Sequence, residues 1–274
     1  MVTLLLGSRL VRNGVVRDAA CHARGGVAVM TRNAYVHRSN LVLFLSGLVE
    51  PFLYLLSLGV GMGQLVGEIP YAGGTIAYPV YVAPAMLAAA AMTGAVTEST
   101  YNFFAKLKFM KLYESMVATP VTPLGIVLGE IAWALLRGAV YAGCFVVIMS
   151  LMGLAPSWWV VLALPAAVLI GLAFAAAGLA FSTYLRSWQD FDYVTVAIFL
   201  LFLFSATFAP LDAYPGWLRA VVAATPLYHG VSLVRGLSTG AVSVGLLWHV
   251  AYLVGLTVVG LAVTSRRVRR LVTP

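Results

Sequence analysis

Glu50 stands inside an apolar run, Leu41 to Leu58, and is followed directly by Pro51. A charge in such a run costs about 2.5–3.5 kcal/mol to insert into a bilayer, so an acid there is a functional hypothesis by default: it can carry a proton, meet a cargo or pair with a base. Pro51 removes a backbone donor and can kink the helix one turn earlier. Glu130 and Arg137, two helical turns apart, share one face of a later apolar segment, and an ion pair between Glu50 and Arg137 would neutralise both. The same charges would serve equally to hold helices, or a dimer, together. His229, upstream of Arg235, could line a conduit or simply satisfy hydrogen bonds near an interface.

Other chemistries find no residues. No group of His, Cys, Asp or Glu has metal-ligand spacing, and no nucleophile has a base beside it, so neither a metal site nor a catalytic residue is expected. The phosphate-binding pattern G-x-x-x-x-G-K-[ST] is missing. The three lysines, Lys106, Lys108 and Lys111, lack the preceding glycines, so no cofactor is expected in this chain and any ATP would be bound elsewhere. Gly59-Val-Gly-Met-Gly63 ends an apolar span rather than joining a soluble strand to a helix, which argues against a dinucleotide fingerprint. Cys21 and Cys144 lie on segments with no reason to meet, and no disulfide is expected.

The elements that must position these residues are membrane helices. Of 274 residues, 62% are hydrophobic and 9% charged, with a mean hydropathy of +0.96, which no aqueous fold could bury. Spanning a bilayer takes about 20 mainly apolar residues. Ile69 to Thr97 carries no charge, nor does Gly138 to Leu185, which is broken by Gly153-Leu-Ala-Pro-Ser157 into two helices. Tyr193 to Leu211 is just long enough, Gly236 to Ser265 comfortably so, and Leu41 to Leu58 spans if Glu50 is accepted. The reading is an all-α polytopic membrane protein with six transmembrane helices, near 40–62, 78–103, 124–152, 158–184, 192–210 and 242–264.

Basic residues give the orientation. Arg9, Arg12, Arg17, Arg24, Arg32 and Arg38 precede the first span, the three lysines lie between the second and third, Arg186 between the fourth and fifth, and Arg266, Arg267, Arg269 and Arg270 end the chain; the opposite loops hold Arg219 and Arg235. By the positive-inside rule both termini are cytoplasmic, which agrees with an even number of spans. The net charge of +8 therefore reports topology, not nucleic acid, because no soluble basic domain exists to enter a groove. Met1 to Gly14 has an apolar run too short and interrupted for a secretory signal.

Three organised units follow: a cytoplasmic arm over 1–39, a transmembrane domain over 40–264 and a basic cytoplasmic tail over 265–274. Within the arm, Val27, Met30 and Ala34 recur at helical spacing beside arginines, which predicts an amphipathic interface helix; a solvated basic leader is the plainer reading. Between the second and third spans, Tyr101 to Pro120 mixes basic and apolar residues, suited to a short cytoplasmic helix. Thr119-Pro120 and Thr122-Pro123 fit equally well as cap and first position of the third span. Phe208 to Arg235 is too apolar for a loop and its pieces are too short to span. Pro215 and Pro226 each suit a helix start, predicting a re-entrant helical hairpin and, with it, an extracellular gate. Trp158, Trp159, Trp217 and Trp248, near span ends, read as headgroup anchors.

In order and spacing these parts resemble a permease of the ABC-2 transporter family, of the nodulation lipo-oligosaccharide and daunorubicin-type antibiotic exporters. The resemblance covers about 27 to 264. It rests on Glu50-Pro51, Gly59-Val-Gly-Met-Gly63, Tyr81-Val-Ala-Pro84, Glu114 with Thr119-Pro120, Leu128-Gly-Glu130, Phe204-Ser205, Phe208-Ala-Pro210-Leu, Pro215-Gly-Trp217-Leu, Pro226-Leu-Tyr-His229 and Arg235-Gly236. It implies a bacterial plasma-membrane permease that exports a drug, lipid or glycolipid, as in multidrug or antibiotic resistance. The chain would dimerise with an identical or paralogous permease and rest on two ABC ATP-binding subunits, which bind ATP and Mg. Glu114, Thr119 and Pro120 would then mark the coupling region. Phe208, Pro210, Pro215, Trp217, Pro226, His229 and Arg235 would mark the outer gate. A proton-coupled secondary transporter using Glu50 is the rival, disfavoured because no inverted repeat or matching pair of broken spans is evident.

Overall fold

The structure is a computed structural model that describes residues 24–36, 49, 52–53, 55–119 and 121–272. Glu50, Pro51 and Pro120 lie outside the described residues, as do most of the first expected span and the Cys21 part of the arm.

Residues 24–36 form helix α1, and Leu55–Val66 forms a short apolar helix, α2. A two-stranded antiparallel hairpin follows, β1 Glu68–Tyr71 and β2 Gly74–Ala77, in a stretch read from sequence as plain apolar chain. Its two-residue turn, Ala72-Gly73, has φ of 51° and 82°, the left-handed pair that a tight hairpin twist requires. Tyr78 then donates its amide to Gly67 O and opens α3, Tyr78–Phe109. The remaining helices are α4 Leu112–Val117, α5 Pro123–Leu151, α6 Trp158–Ser182, α7 Phe191–Leu203, α8 Gly216–Ala224, α9 Pro226–Thr239 and α10 Gly245–Val272.

Among the described residues four helices are long and apolar enough to cross a membrane: Tyr78–Phe109, Leu124–Leu151, Trp158–Ser182 and Gly245–Val268. The fifth expected span, 192–210, is a helix only over Phe191–Leu203. Thirteen residues rise about 20 Å, short of a hydrocarbon core about 30 Å thick. Phe204 leaves the helical region and Ala206 adopts φ +53°, so the chain turns away before Pro210.

Local chemistry accounts for several boundaries. Of the two cap candidates it is Thr122 that caps α5, accepting the Gly125 amide at 3.1 Å, with Pro123 in the first turn. The Thr119 hydroxyl instead donates to Met116 O. Gly153, at φ +71°, ends α5 where the break was expected, and Ser157 accepts the Trp159 amide to start α6. Thr225 caps α9 by accepting from Tyr228, with Pro226 in its first turn.

Helix α6 is the hub, packed against α3, α5, α9 and α10. Its buried Ala166, Ala167, Ala173, Ala175 and Ala176 let neighbouring backbones approach, the usual route to tight packing where lipid is as apolar as any side chain. The main core joins α3, α5, α6 and α9. A smaller one at the basic end gathers Val29 of α1, Phe103 of α3, Tyr113 of α4, Ile126, Val127 and Ile131 of α5, Leu179 of α6 and Val268 of α10.

Gly129 is where α1 sits on α5. A Cβ there would lie 2.6 Å from Val29 Cβ and 2.7 Å from Gly26 O, a backbone atom that cannot swing aside. Gly129→Ala is therefore expected to lift α1 from the bundle at a cost of about 1–3 kcal/mol. The measurement is limited proteolysis within 24–36, which should become faster than in the wild type.

Candidate functional site

Two charged clusters and one cavity lie along the faces of α3. At the basic end Lys106 of α3 meets Glu130 of α5, Nζ to Oε2 at 2.6 Å, with Glu130 only 5% exposed. Asn33 of α1 donates to the same carboxylate oxygen at 3.2 Å, and Lys106 also reaches Asn33 Oδ1 at 3.4 Å. Three elements distant in sequence are thus clasped by one carboxylate. Tyr113 of α4 is fully buried beside it and its ring packs on Phe103, centroids 5.1 Å apart. The Tyr113 hydroxyl has no well-formed hydrogen bond, and burial, reinforced by the Glu130 carboxylate, pushes it well above the usual tyrosine range. On the same short helix Glu114 points outward, and Thr119 is exposed just beyond it.

Half-way along α5, Arg137 pairs with Glu98 of α3, Nη1 to Oε2 at 3.0 Å. Asn102 donates to that same oxygen at 2.8 Å. Glu98 opens a π-helical segment, Glu98–Asn102, and a second one, Ala105–Phe109, follows before the left-handed Lys111 turns the chain into α4. Wide turns of this kind concentrate at functional sites. Glu130 and Arg137 do share a face of α5, as their spacing predicts, but each meets its own partner on α3. The Arg137 partner among the described residues is Glu98; the Glu50 alternative lies outside them.

A cavity of about 390 Å³ opens between α3, α5 and α7. Met86, Phe145, Ile198, Phe199 and Phe202 give it an apolar wall, and among the described residues Arg137 is its one charged lining residue.

At the opposite end Arg235 of α9 is buried, 3% exposed. Its Nε donates to Tyr81 O at 3.0 Å, its Nη2 donates to Ala206 O at 2.9 Å and, more weakly, to Thr207 O at 3.4 Å, and its guanidinium lies 3.7 Å above the Tyr81 ring. The Tyr81 hydroxyl also donates to Ala206 O. His229 forms a Nδ1 to Nδ1 hydrogen bond of 2.7 Å with His249 of α10 and stacks on Tyr252 with centroids 3.9 Å apart. Thr225 bridges Ser205 and Phe204 O to the start of α9.

The expected gate residues divide accordingly. Phe208 packs on Phe202, 5.1 Å between centroids. Pro210 precedes a single 3-10 turn, Pro215 immediately precedes α8, Pro226 starts α9, and Trp217 is 73% exposed. Arg235 and His229 are buried joints, not loop residues. Sequence reasoning passed over Glu98, Asn33, Tyr81 as an acceptor, Ala206 and His249. The isolated charge of Glu98 at the end of the apolar run Ile69 to Thr97 was the one signal available for it.

The sequence profile described as ABC-2 type transporter matches residues 27–238. A nodulation protein J from Rhizobium leguminosarum bv. trifolii is 31% identical over 247 residues, 89% of this chain and 92% of its own. Another nodulation protein J, from Rhizobium meliloti, is 29% identical over 90% of this chain and 94% of its own. A Mycobacterium tuberculosis protein whose name describes a doxorubicin resistance ABC transporter permease protein, DrrC, is 23% identical over 82% of each chain.

Proposed function

The chain belongs to the ABC-2 type transporter family, and from that membership we propose that it is the permease of an ATP-driven exporter of an amphipathic cargo, a drug, lipid or glycolipid. Membership makes it a multi-pass membrane component of an ABC transporter, associated with ABC ATP-binding subunits. Two ATPase subunits, which bind ATP and Mg, serve a pair of permeases, identical or paralogous, in a bacterial plasma membrane. Each permease has six spans, counting the segment near 40–62 and the short α7 with the turn that follows it, and cytoplasmic arms over 1–39 and 265–274.

The observation that carries this reading is α4. One face of this six-residue helix is anchored through Tyr113 in the core that also holds α1, α3 and α5, while Glu114 and then Thr119 project outward. A soluble subunit pressing on Glu114, Thr119 and Pro120 would move the Glu130 carboxylate and, through Lys106, the lower end of α3. That helix reaches the other end of the bundle at Tyr81, against Arg235 and the turn at Ala206 that leads into the segment from Phe208 to Pro226. The hairpin of α8 and α9 would then open outward, giving alternating access. An amphipathic cargo is supported by the apolar cavity and by the likeness to a permease named for doxorubicin resistance.

Purification of the chain with its partners, identified by mass, and reconstitution in vesicles test this. Glu114→Lys and Pro120→Ala are expected to leave the protein in the membrane and the ATPase bound, while ATP hydrolysis no longer drives transport. Undiminished transport by both variants would overturn the coupling role, and the absence of any ATPase partner would overturn the exporter reading.

A further inference from the structure

We propose that the cavity between α3, α5 and α7 takes the acidic head of the cargo on Arg137, so that the exporter prefers anionic amphipaths; this rests on the permease reading above. Arg137 and Arg235 are both guanidiniums held inside the bundle, and they are employed differently. Arg235 is buried, directs two nitrogens at backbone carbonyls and lies flat on Tyr81. Arg137 has one ion-pair contact, Nη1 to Glu98 Oε2 at 3.0 Å, and no hydrogen bond from its guanidinium to a further acceptor is present among the described residues. A guanidinium offers five N–H donors in a planar fork matched to carboxylate, sulfate or phosphate oxygens. Among the described residues the rest of this fork meets only the Tyr141 ring, 5.7 Å from its centre, which takes up none of its N–H donors.

Its position decides where the unused edge can act. Arg137 lines the cavity and its side chain is 20% exposed, whereas Glu98 does not line the cavity and is 3% exposed. The pair thus turns its positive end to the cavity and its negative end to the protein. Asn102 holds the Glu98 oxygen independently of Arg137, so the carboxylate keeps a donor when the guanidinium turns toward a second anion. The apolar part of the wall, from Met86 across Phe145 to Phe199 and Phe202, suits an alkyl or aromatic body, while Thr93, Thr97, Tyr141 and Thr195 supply hydroxyls. About 390 Å³ lies within the range of small-ligand sites. Apolar walls lower the local dielectric, which strengthens a charge-assisted contact relative to the same contact on a surface.

The test uses the full chain in nanodiscs of zwitterionic lipid with two fluorescent probes that differ only in head charge: 11-(dansylamino)undecanoic acid and its methyl ester. Binding is read against empty nanodiscs. The wild type is expected to bind the acid about tenfold more tightly than the ester, the size of one charge-assisted hydrogen bond. Arg137→Lys should retain part of that preference. Glu98→Gln should strengthen binding of the acid, because the competing carboxylate is gone. Glu98→Gln with Arg137→Gln, a pair without charge that leaves neither partner stranded, should bind both probes alike. Equal affinity of the wild type for acid and ester, or a preference that survives in the double variant, overturns the assignment. ATP-dependent transport by the wild type with its ATPase, measured on the same preparation, separates the two readings. Transport without head-group preference removes the Arg137 site alone; no transport removes the permease reading.

Discussion

Replacing Arg235 with leucine is expected to abolish export and to lower the thermal midpoint of the protein more than any other single substitution outside the hub helix. Leucine fits the apolar surroundings, so the loss does not come from volume. It comes from the buried carbonyls of Tyr81, Ala206 and Thr207, which lose the guanidinium's donors, Ala206 O keeping the Tyr81 hydroxyl. Each buried acceptor without a donor costs about 1–3 kcal/mol. Ala206 adds to this, because its φ of +53° is an unfavourable conformation for a residue with a Cβ and is held by the two donors, Arg235 and Tyr81, that converge on its carbonyl. Lysine keeps the charge but offers a compact ammonium in place of a planar fork, so Arg235→Lys should recover little. Tryptophan fluorescence during heating, with transport assayed in vesicles, reads both effects. A leucine variant with a wild-type midpoint would show that the joint between α3, α9 and the 204–207 turn is held by packing alone.

The second large effect concerns the clasp at the basic end. Lys106→Met leaves the Glu130 carboxylate, 5% exposed, with Asn33 as its remaining donor. Removing one partner of a buried pair typically costs about 3–5 kcal/mol, because the other charge is stranded. Glu130→Gln in the same chain removes the stranded charge and keeps an amide oxygen for Asn33. The double variant is therefore expected to be more stable than Lys106→Met alone, with a coupling free energy of more than about 1 kcal/mol in a double-mutant cycle. ATP hydrolysis by the assembled complex supplies a second reading: the stable double variant should hydrolyse ATP but transport poorly, since the link from α4 through Glu130 to α3 is no longer ionic. Additive destabilisation in the cycle would mean that the two side chains act independently.

Much of the helical skeleton was legible because its signals are local. Thr122-Pro123, Gly153 and Thr225-Pro226 each carry a cap, a left-handed residue or a fixed φ within a few positions of the boundary they set. The hairpin of Glu68–Ala77 was missed because Ile69, Tyr71 and Ile76 also continue the apolar run into α3, and the Ala72-Gly73 turn signal is weak. The early end of α7 was not legible at all. Leu203 to Phe208 contains no proline or glycine, and the turn that follows the helix is held at Ala206 by Arg235, 29 residues further on. The site followed the same rule. Glu130 and Arg137 could be placed on one face by counting, but their partners Lys106 and Glu98 depend on how α3 lies against α5, which no local pattern encodes.

The π-helical turns at Glu98–Asn102 and Ala105–Phe109 bear on how this fold tolerates change in length. A π turn closes around one residue more than an α turn, as the bond from Met110 N to Ala105 O, five positions back, makes plain. Each is in effect an insertion already absorbed inside a helix. Removing one residue there closes the turn to α geometry, shifts the lower helix by about 1.5 Å and swings its faces by about 100°. The span above would stay intact, while Lys106 would be carried away from Glu130. Single-residue gaps between related chains are thus sterically cheap in this stretch, yet each one re-aims the end of α3 toward a different set of neighbours, a simple way for one bundle to be matched to different engines.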